Sequence, residues 1–312
     1  MNDTAASHTA GPDSELPPAL PAELLSLDDP RVGRIAMYAR GPAPTPQRPP
    51  VLLVHSVNAA ASAYEMRPLF ERLARSRRTY ALDLPGYGLS ERGDRPYSPR
   101  LMTDALHAAI ETIQERESSV VDGLALSLAC EFLARAAEER PEAFRTLALV
   151  SPTAFDRRGR RDGPRGSTLG SSLSYALVAC PLWAGALFRL LTRPGVVRYF
   201  LDRAWGRKGA ADPGLVRYAA RAADQPGARF APLRFLSGYL FSGDISPIYE
   251  ALEQPVWMSH GVRGDFTDYS RAEAMKARAN WTVQVYSTGA LPHFELPDAF
   301  ARDYEAFLER HG

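Results

Sequence analysis

Short apolar runs alternate with amphipathic helical segments from residue 51 onward, and this alternation limits the fold more than any other feature of the chain. Residues 51–54 and 146–150 are nearly devoid of polar side chains, as expected for strands covered on both faces. Between them, residues 63–74 and 98–113 place apolar side chains at helical spacing. Alternating strands and helices form a mostly parallel, doubly wound sheet. We therefore predict an α/β fold of this class.

The alternation is interrupted once, after residue 152. The following segment has helical patterns but no clear buried strand until residues 255–259. We predict one core built from two blocks, residues 30–152 and 248–312, with a helical cap inserted at 153–247. Residues 1–29 begin with a polar stretch rich in Ala, Ser, Asp and Pro and are predicted to form a loose N-terminal tail.

Bulk charge and cysteine content exclude some partners and compartments. The 37 basic and 36 acidic residues leave a formal net charge of +1, so no global field favours nucleic acid or an anionic membrane. Cys130 and Cys180 fall in different predicted units, so a disulfide is not expected. No basic segment followed by an apolar stretch opens the chain. We predict a cytoplasmic protein.

Residues 166–188 contain no charged side chain, which raises the question of whether they could span a membrane. A spanning helix requires about 20 apolar residues. Here the run opens with Gly and Ser, is broken by Pro181 and is closed by Arg189. We predict a buried or lid-like helix pair and no stable membrane insertion. Interfacial contact with a membrane stays open as the alternative.

Ser127 stands where an apolar strand, residues 120–126, gives way to a helix. A sharp turn at such a junction lifts a serine hydroxyl clear of the backbone, as a nucleophile requires, and the positions two before and two after it must be small. Ala125 and Ala129 occupy those positions. The competing interpretation is a serine that only caps the helix.

Two later loops supply a base and an acid. His293 lies just before the last predicted helix, and an imidazole can take and return a proton near neutral pH. Asp265 follows the strand at 255–259, where a carboxylate could orient that imidazole. Asp268 is the rival acid, and a buried structural role is the alternative for His293.

An oxyanion formed during attack needs two N–H donors. One belongs to the residue after the nucleophile, Leu128, and the other to the loop after the first buried strand, where we select Val57. Ser56 and Asn58 in the same loop are predicted to support it or to contact substrate. His55 is predicted to brace the loop.

Residues 83–90 read Asp-Leu-Pro-Gly-Tyr-Gly-Leu-Ser and follow the strand at 79–82. Together with the serine junction and the histidine loop, in the chain order Ser, Asp, His, this motif resembles the α/β-hydrolase superfamily. The resemblance implies that Ser127, Asp265 and His293 form the catalytic triad. It also implies that the helical insert is a cap that roofs the site and selects substrates.

The chain departs from the superfamily pattern near the predicted site. The family has glycine where Ser56 follows His55, and Ala125 and Ala129 replace the two glycines that usually flank the nucleophile. A serine nucleophile also argues against the mechanisms of family members that need a carboxylate at this position.

We predict a hydrolase that uses Ser127, His293 and Asp265 on a small, hydrophobic, ester-like substrate, with no metal or organic cofactor. One alternative is hydrolysis of a C–C bond in a diketone by the same triad. The other is a ligand-binding protein of this fold that performs no catalysis. Substrate identity and oligomeric state are not encoded in any motif of the chain.

Overall fold

The computed structural model describes residues 15–312, which form one sheet with helices on both faces. Its eight strands are β1 Glu23–Asp29, β2 Gly33–Arg40, β3 Val51–Val54, β4 Thr79–Leu82, β5 Val121–Leu126, β6 Phe144–Val150, β7 Val256–Gly261 and β8 Trp281–Tyr286. They are arranged in the order β1-β2-β4-β3-β5-β6-β7-β8. β3 to β8 run parallel, whereas β2 is antiparallel to both of its neighbours. The predicted doubly wound α/β fold is confirmed.

The first strand corrects the predicted N-terminal boundary. Glu23–Asp29 pairs along its length with β2, so the predicted loose tail of 1–29 is wrong for these residues. Leu16 and Leu20 are also buried against the core. The strand escaped prediction because it lies at the sheet edge and most of its side chains are solvent-accessible, so no buried apolar run marks it. Residues 1–14 of the predicted tail lie outside the described residues.

Twelve helices flank and cap this sheet in the described part of the chain. They are α1 Arg67–Leu73, α2 Pro99–Glu117, α3 Ala129–Glu139, α4 Ser172–Val178, α5 Ala184–Leu191, α6 Pro194–Trp205, α7 Pro213–Ala223, α8 Phe230–Leu236, α9 Ile245–Ala251, α10 Glu273–Lys276, α11 Pro292–Glu295 and α12 Pro297–Arg310. α2 and α3 pack on one face of the sheet, and α1 and α12 on the other. Ser98 caps α2 by accepting a hydrogen bond from Leu101 N–H, which confirms the predicted start of that helix.

β5 shows why the core forms as it does. Its six residues are all buried, and they alternate between the two faces of the sheet. Val121 and Ala125 join the cluster beneath α2 and α3, whereas Leu124 and Leu126 join the cluster beneath α1 and α12. The strand is therefore fixed from both sides, and the residue that follows it is held on a rigid support.

Helices α4 to α9 occupy the connection between β6 and β7. α9 spans residue 247, where the sequence placed the end of the cap. Two buried ion pairs join this connection to α3: Arg135 binds Asp244 at 2.6 Å, and Arg161 binds Glu131 at 2.7 Å. No helix of residues 15–312 is both long and apolar enough to cross a bilayer.

Candidate active site

Ser127 lies on a strained turn at the carboxyl end of β5. Its φ of 57° is in the left-handed region that non-glycine residues seldom adopt. Its N–H donates to Val150 O at 2.8 Å, which ties the turn to β6. Strain of this kind persists where the surrounding structure enforces it and is enriched at functional sites. Ser127 therefore has the backbone conformation expected of a nucleophile turn.

The turn accommodates alanine at both small positions. Ala125 and Ala129 are fully buried, so their methyl groups are packed within the core. Ser127 itself is half-buried, and its Oγ forms no hydrogen bond with residues 15–312. The hydroxyl is thus free to contact a bound molecule.

Two backbone donors stand near this serine. Among the described residues, no acceptor pairs with the N–H of Val57 or of Leu128, although the two residues are only 4% and 1% exposed. Leu128 directly follows the serine. Val57 belongs to the loop after β3, and the register Val54↔Ala125 brings that loop beside the turn after β5. Buried N–H groups without partners are rare, so these two are suited to bind an anionic oxygen.

Glu65 organises the loop that carries Val57. Its side chain is buried, and its two carboxylate oxygens accept hydrogen bonds from Ser56 N–H at 2.9 Å and from Asn58 Nδ2 at 2.7 Å. Asn58 Oδ1 in turn accepts from Ala60 N–H at 2.8 Å. Ser56 and Asn58, predicted to support the loop or contact substrate, are thus placed within it.

Sequence reasoning missed Glu65. The sequence signal was a single carboxylate in a mainly apolar segment, residues 63–70. The groups that hydrogen-bond to this carboxylate and stabilise it in a buried position lie up to nine residues earlier, so the segment alone does not reveal them.

His55 braces the same loop from the other side, as predicted. Its Nε2 accepts a 2.9 Å hydrogen bond from Leu84 N–H, so its proton lies on Nδ1, which donates to Ser56 O at 2.6 Å. Ser56, in the loop after β3, is therefore held at its N–H by Glu65 and at its carbonyl by His55.

His293, on α11, is 1% exposed. Its Nε2 donates a 2.8 Å hydrogen bond to Glu65 O, and its Nδ1 is buried without a partner in the described chain. Burial disfavours the imidazolium and lowers the pKa of His293 to about 4. The ring is therefore neutral at physiological pH. In this arrangement neither ring nitrogen bonds to Ser127 or Asp265.

Asp265 lies on the loop after β7, and its side chain is directed towards α6. Its carboxylate pairs with Arg203 Nε at 2.6 Å, and the side chain is 39% exposed. The rival Asp268 pairs with Arg157 at 2.8 Å, and the hydrogen bond from that guanidinium lowers the pKa of the carboxyl group. Each candidate acid is thus neutralised by an arginine instead of by His293.

The C-terminus of α6 connects the acid loop to the histidine loop. Arg203 O accepts from Asp265 N–H at 2.9 Å, and Ala204 O accepts from Ala290 N–H at 2.8 Å. Glu295 also holds the histidine loop, because its carboxylate accepts from Gly289 N–H at 2.6 Å and pairs with Arg263. Helix α6, in the connection between β6 and β7, therefore positions both loops that carry the predicted acid and base.

The described residues contain no group of three or more His, Cys, Asp or Glu side chains that could hold a metal ion. The site is accordingly made of a free hydroxyl on a strained turn, two free N–H donors and a neutral imidazole that Glu65 links to the donor loop. Such a set can bind a polarised carbonyl and its anionic form.

Comparison with known proteins agrees with the fold. A family model described as the alpha/beta hydrolase family matches residues 51–303. No curated protein matches the chain. A membrane phospholipase A, described as a bacterial virulence factor, is similar in structure, with 21% identity, a TM-score of 0.67 and coverage of 93% of this chain and 86% of that chain.

Two further solved structures share the fold. A meta-cleavage product hydrolase from Pseudomonas fluorescens IP01 has 15% identity and a TM-score of 0.68, covering 92% of this chain and 98% of that one. An esterase from Thermogutta terrifontis has 17% identity and a TM-score of 0.68, covering 93% and 99%. At these identities the likeness concerns the fold alone. Because the family model spans more than half of the sequence, the chain belongs to the α/β-hydrolase family.

Proposed function

We propose that the protein is a serine-dependent hydrolase of small, hydrophobic carboxylic esters. The observation that carries the proposal is Ser127, whose backbone has a φ of 57° and whose Oγ is free, next to the unpaired N–H of Leu128. In such a site the hydroxyl attacks the ester carbonyl, and the developing negative charge on the carbonyl oxygen is stabilised by Leu128 and Val57 N–H.

His293 is the proposed base and then acid. For this role its Nε2 must release Glu65 O and accept the Ser127 proton, and its own proton must move to Nδ1. A carboxylate beside Nδ1 favours that tautomer. We propose that Asp265 provides this carboxylate after its ion pair with Arg203 breaks. The low pKa of the buried ring keeps it unprotonated at neutral pH, and a carboxylate beside Nδ1 would raise that pKa towards the range in which a general base works best.

The apolar cap supports a hydrophobic substrate. Ala60 of the donor loop packs against a cluster formed by Phe188, Ala223 and Ala228 from the cap segment. An acyl or ring group entering beside Ser127 would meet these side chains and lose contact with water. Cys130 and Cys180 are both unpaired, which supports the proposed cytoplasmic location.

A fluorophosphonate probe tests the nucleophile directly, because it reacts with an activated serine whatever the natural substrate is. Wild-type protein labelled at Ser127, with no label on Ser127→Ala, supports the proposal. Folded wild-type protein that stays unlabelled and hydrolyses no member of a p-nitrophenyl ester series would overturn it. Ester chain length then defines the size of the acyl pocket.

The meta-cleavage product hydrolase among the structural neighbours supports a C–C bond hydrolase as one competing proposal. Fast turnover of a vinylogous diketone with slow ester turnover, both lost in Ser127→Ala, selects it. The second competing proposal is a ligand-binding protein without catalysis. It is favoured because His293 bonds to Glu65 and Asp265 pairs with Arg203, so neither hydrogen-bonds to Ser127. Tight binding of a hydrophobic carbonyl compound without probe labelling selects that one.

A further inference from the structure

The outer surface of the cap exposes a set of large apolar side chains. Leu173 and Leu177 lie one turn apart on α4 and are 80% and 62% exposed. Leu182, in the turn that leads to α5, is 88% exposed. Single exposed leucines are common on protein surfaces, but a contiguous set of them indicates an interaction surface.

α5 is apolar on two opposite sides. Ala184 and Phe188 are buried and lie one turn apart on its inner side. Ala186 and Leu190, also one turn apart, are exposed on its outer side. A helix needs only one apolar stripe to pack on a protein core. The outer apolar stripe of α5 therefore remains exposed to solvent in the folded chain.

One hydrogen bond joins the two helices that carry these side chains. Trp183 Nε1 donates a 2.8 Å hydrogen bond to Leu177 O, which holds the start of α5 against the end of α4. We refer to the exposed set as the outer cap patch, defined as Leu173, Leu177, Leu182, Trp183 and Leu190. Tyr199 and Phe200 on α6, 53% and 48% exposed, extend the apolar surface of the same segment.

The segment that carries the patch is strongly basic, although the whole chain is nearly neutral. Residues 166–208 contain six basic side chains and a single acidic one, Asp202. All six are exposed: Arg189, Arg193, Arg198, Arg203, Arg207 and Lys208. Within the described chain, Arg203 pairs with Asp265, whereas Arg189 and Arg193 beside α5 have no ion-pair partner.

We propose that the outer cap patch docks reversibly on the surface of an anionic lipid bilayer. Leucine and tryptophan side chains enter the boundary between headgroups and acyl chains, while arginines on the same segment bind anionic headgroups. A second copy of the chain fits less well, because two patches facing each other would bring two cationic segments together. The docking concerns the surface of the bilayer and does not depend on hydrolysis at Ser127.

Co-sedimentation with vesicles tests this surface in the full-length protein. Wild type is expected to sediment with vesicles containing phosphatidylglycerol and to bind pure phosphatidylcholine at least about tenfold more weakly, with binding reduced by added salt. Leu173→Ser with Leu182→Ser, and separately Arg189→Glu with Arg193→Glu, should each weaken binding by about tenfold or more. Ser127→Ala should bind as wild type does.

Matched controls come from elsewhere on the chain. Leu24 on β1 is 45% exposed, and Arg75 after α1 is exposed, so Leu24→Ser and Arg75→Glu make the same chemical changes away from the cap. Both controls should retain wild-type binding. Equal loss in controls and cap variants would overturn the proposal, as would wild type that sediments with neither vesicle.

Tryptophan fluorescence supplies an independent readout. Trp183 is 43% exposed, whereas Trp205, Trp257 and Trp281 are 5% exposed or less. Anionic vesicles should therefore shift the emission to shorter wavelength in wild type, and Trp183→Phe should lose that shift. Unchanged emission with sedimenting protein would contradict docking through the patch. Concentration-dependent dimers abolished by the two leucine substitutions, without vesicle binding, would assign the patch to self-association instead.

Discussion

His293 Nε2 donates a 2.8 Å hydrogen bond to the backbone carbonyl of Glu65, the residue whose side chain holds the Ser56 and Asn58 end of the donor loop. The imidazole is thereby coupled through one residue to the loop that carries Val57, one of the two proposed oxyanion donors. Its Nδ1 is buried and unpaired within the described chain. The predicted base is thus near the predicted donor loop, while the contact that would activate Ser127 has still to form.

Glu65→Gln should slow labelling of Ser127 while leaving the fold intact. Glutamine keeps the size of the side chain but offers one acceptor oxygen where Ser56 N–H and Asn58 Nδ2 now use two. A lost hydrogen bond to a charged group costs about 1.5–3 kcal/mol. The rate of fluorophosphonate labelling should fall by about tenfold to a hundredfold. Glu71→Gln, which removes only a solvent-accessible partner of Arg67, is the control and should label at the wild-type rate.

Ser127→Gly should make the protein more stable while abolishing labelling. A left-handed backbone costs a non-glycine residue roughly 1–2 kcal/mol, and glycine removes that cost at the φ of 57° found here. Ser127→Ala removes the same hydroxyl but keeps Cβ, so it should show no such gain. Urea unfolding of the two variants measures the difference. Equal stabilities for the glycine and alanine variants would mean that the turn is not strained.

The buried imidazole of His293 should make stability depend on pH. Burial lowers its pKa from 6.5 to about 4, so between these values the unfolded chain binds a proton that the folded chain does not. The free energy of unfolding should therefore fall as the pH falls from 6.5 to 4, by about 3 kcal/mol.

The comparison of wild type with His293→Gln isolates this effect, because titration of the other groups is common to both. Urea midpoints measured across that pH range should converge as the pH falls. A constant difference between the two proteins would show that the ring titrates normally when folded.

The sheet and the serine turn could be predicted because both are encoded locally. An unbroken apolar run such as Val51–Val54 indicates a strand whatever its neighbours are, and Ser127 sits at a strand-to-helix junction visible in the sequence. β1 was missed because its side chains are mostly exposed and only pairing with β2 makes it a strand.

The surroundings of the acid and the base could not be predicted in the same way. The partner of Asp265 is Arg203, on α6 and 62 residues earlier, and the partner of His293 is a carbonyl 228 residues earlier. No local pattern encodes such contacts, because they depend on how separate loops pack. The role of Glu65 likewise depends on how the loop after β3 packs against its carboxylate.

Asp265→Asn separates the two candidate acids. If Asp265 orients His293 during turnover, the amide should lower kcat for ester hydrolysis by a factor on the order of 10²–10⁴. The ion pair with Arg203 is partly exposed, so stability should change by less than about 1 kcal/mol. Asp268→Asn also breaks a pair with an arginine and is the matched control. Loss of activity in the control with full activity in Asp265→Asn would reverse the assignment.

Glu131→Ala should loosen the attachment of the segment between β6 and β7 to α3. Glu131 is fully buried and accepts from Arg161 Nη1 at 2.7 Å and from Ser242 N–H at 2.7 Å, while Thr153 Oγ1 also donates to it. Burial raises the pKa of this carboxyl group. Removing it leaves the buried end of Arg161 and an amide without acceptors, which typically costs about 3–5 kcal/mol.

Glu138→Ala is the matched control, because Glu138 lies two turns further along α3 and pairs with the exposed Arg165. It should change stability by less than about 1 kcal/mol. Limited proteolysis should cut the segment between β6 and β7 faster in Glu131→Ala than in the control, because the lost contacts join that segment to α3. Similar cleavage rates in the two variants would show that the contacts of Glu131 do not hold this segment on α3.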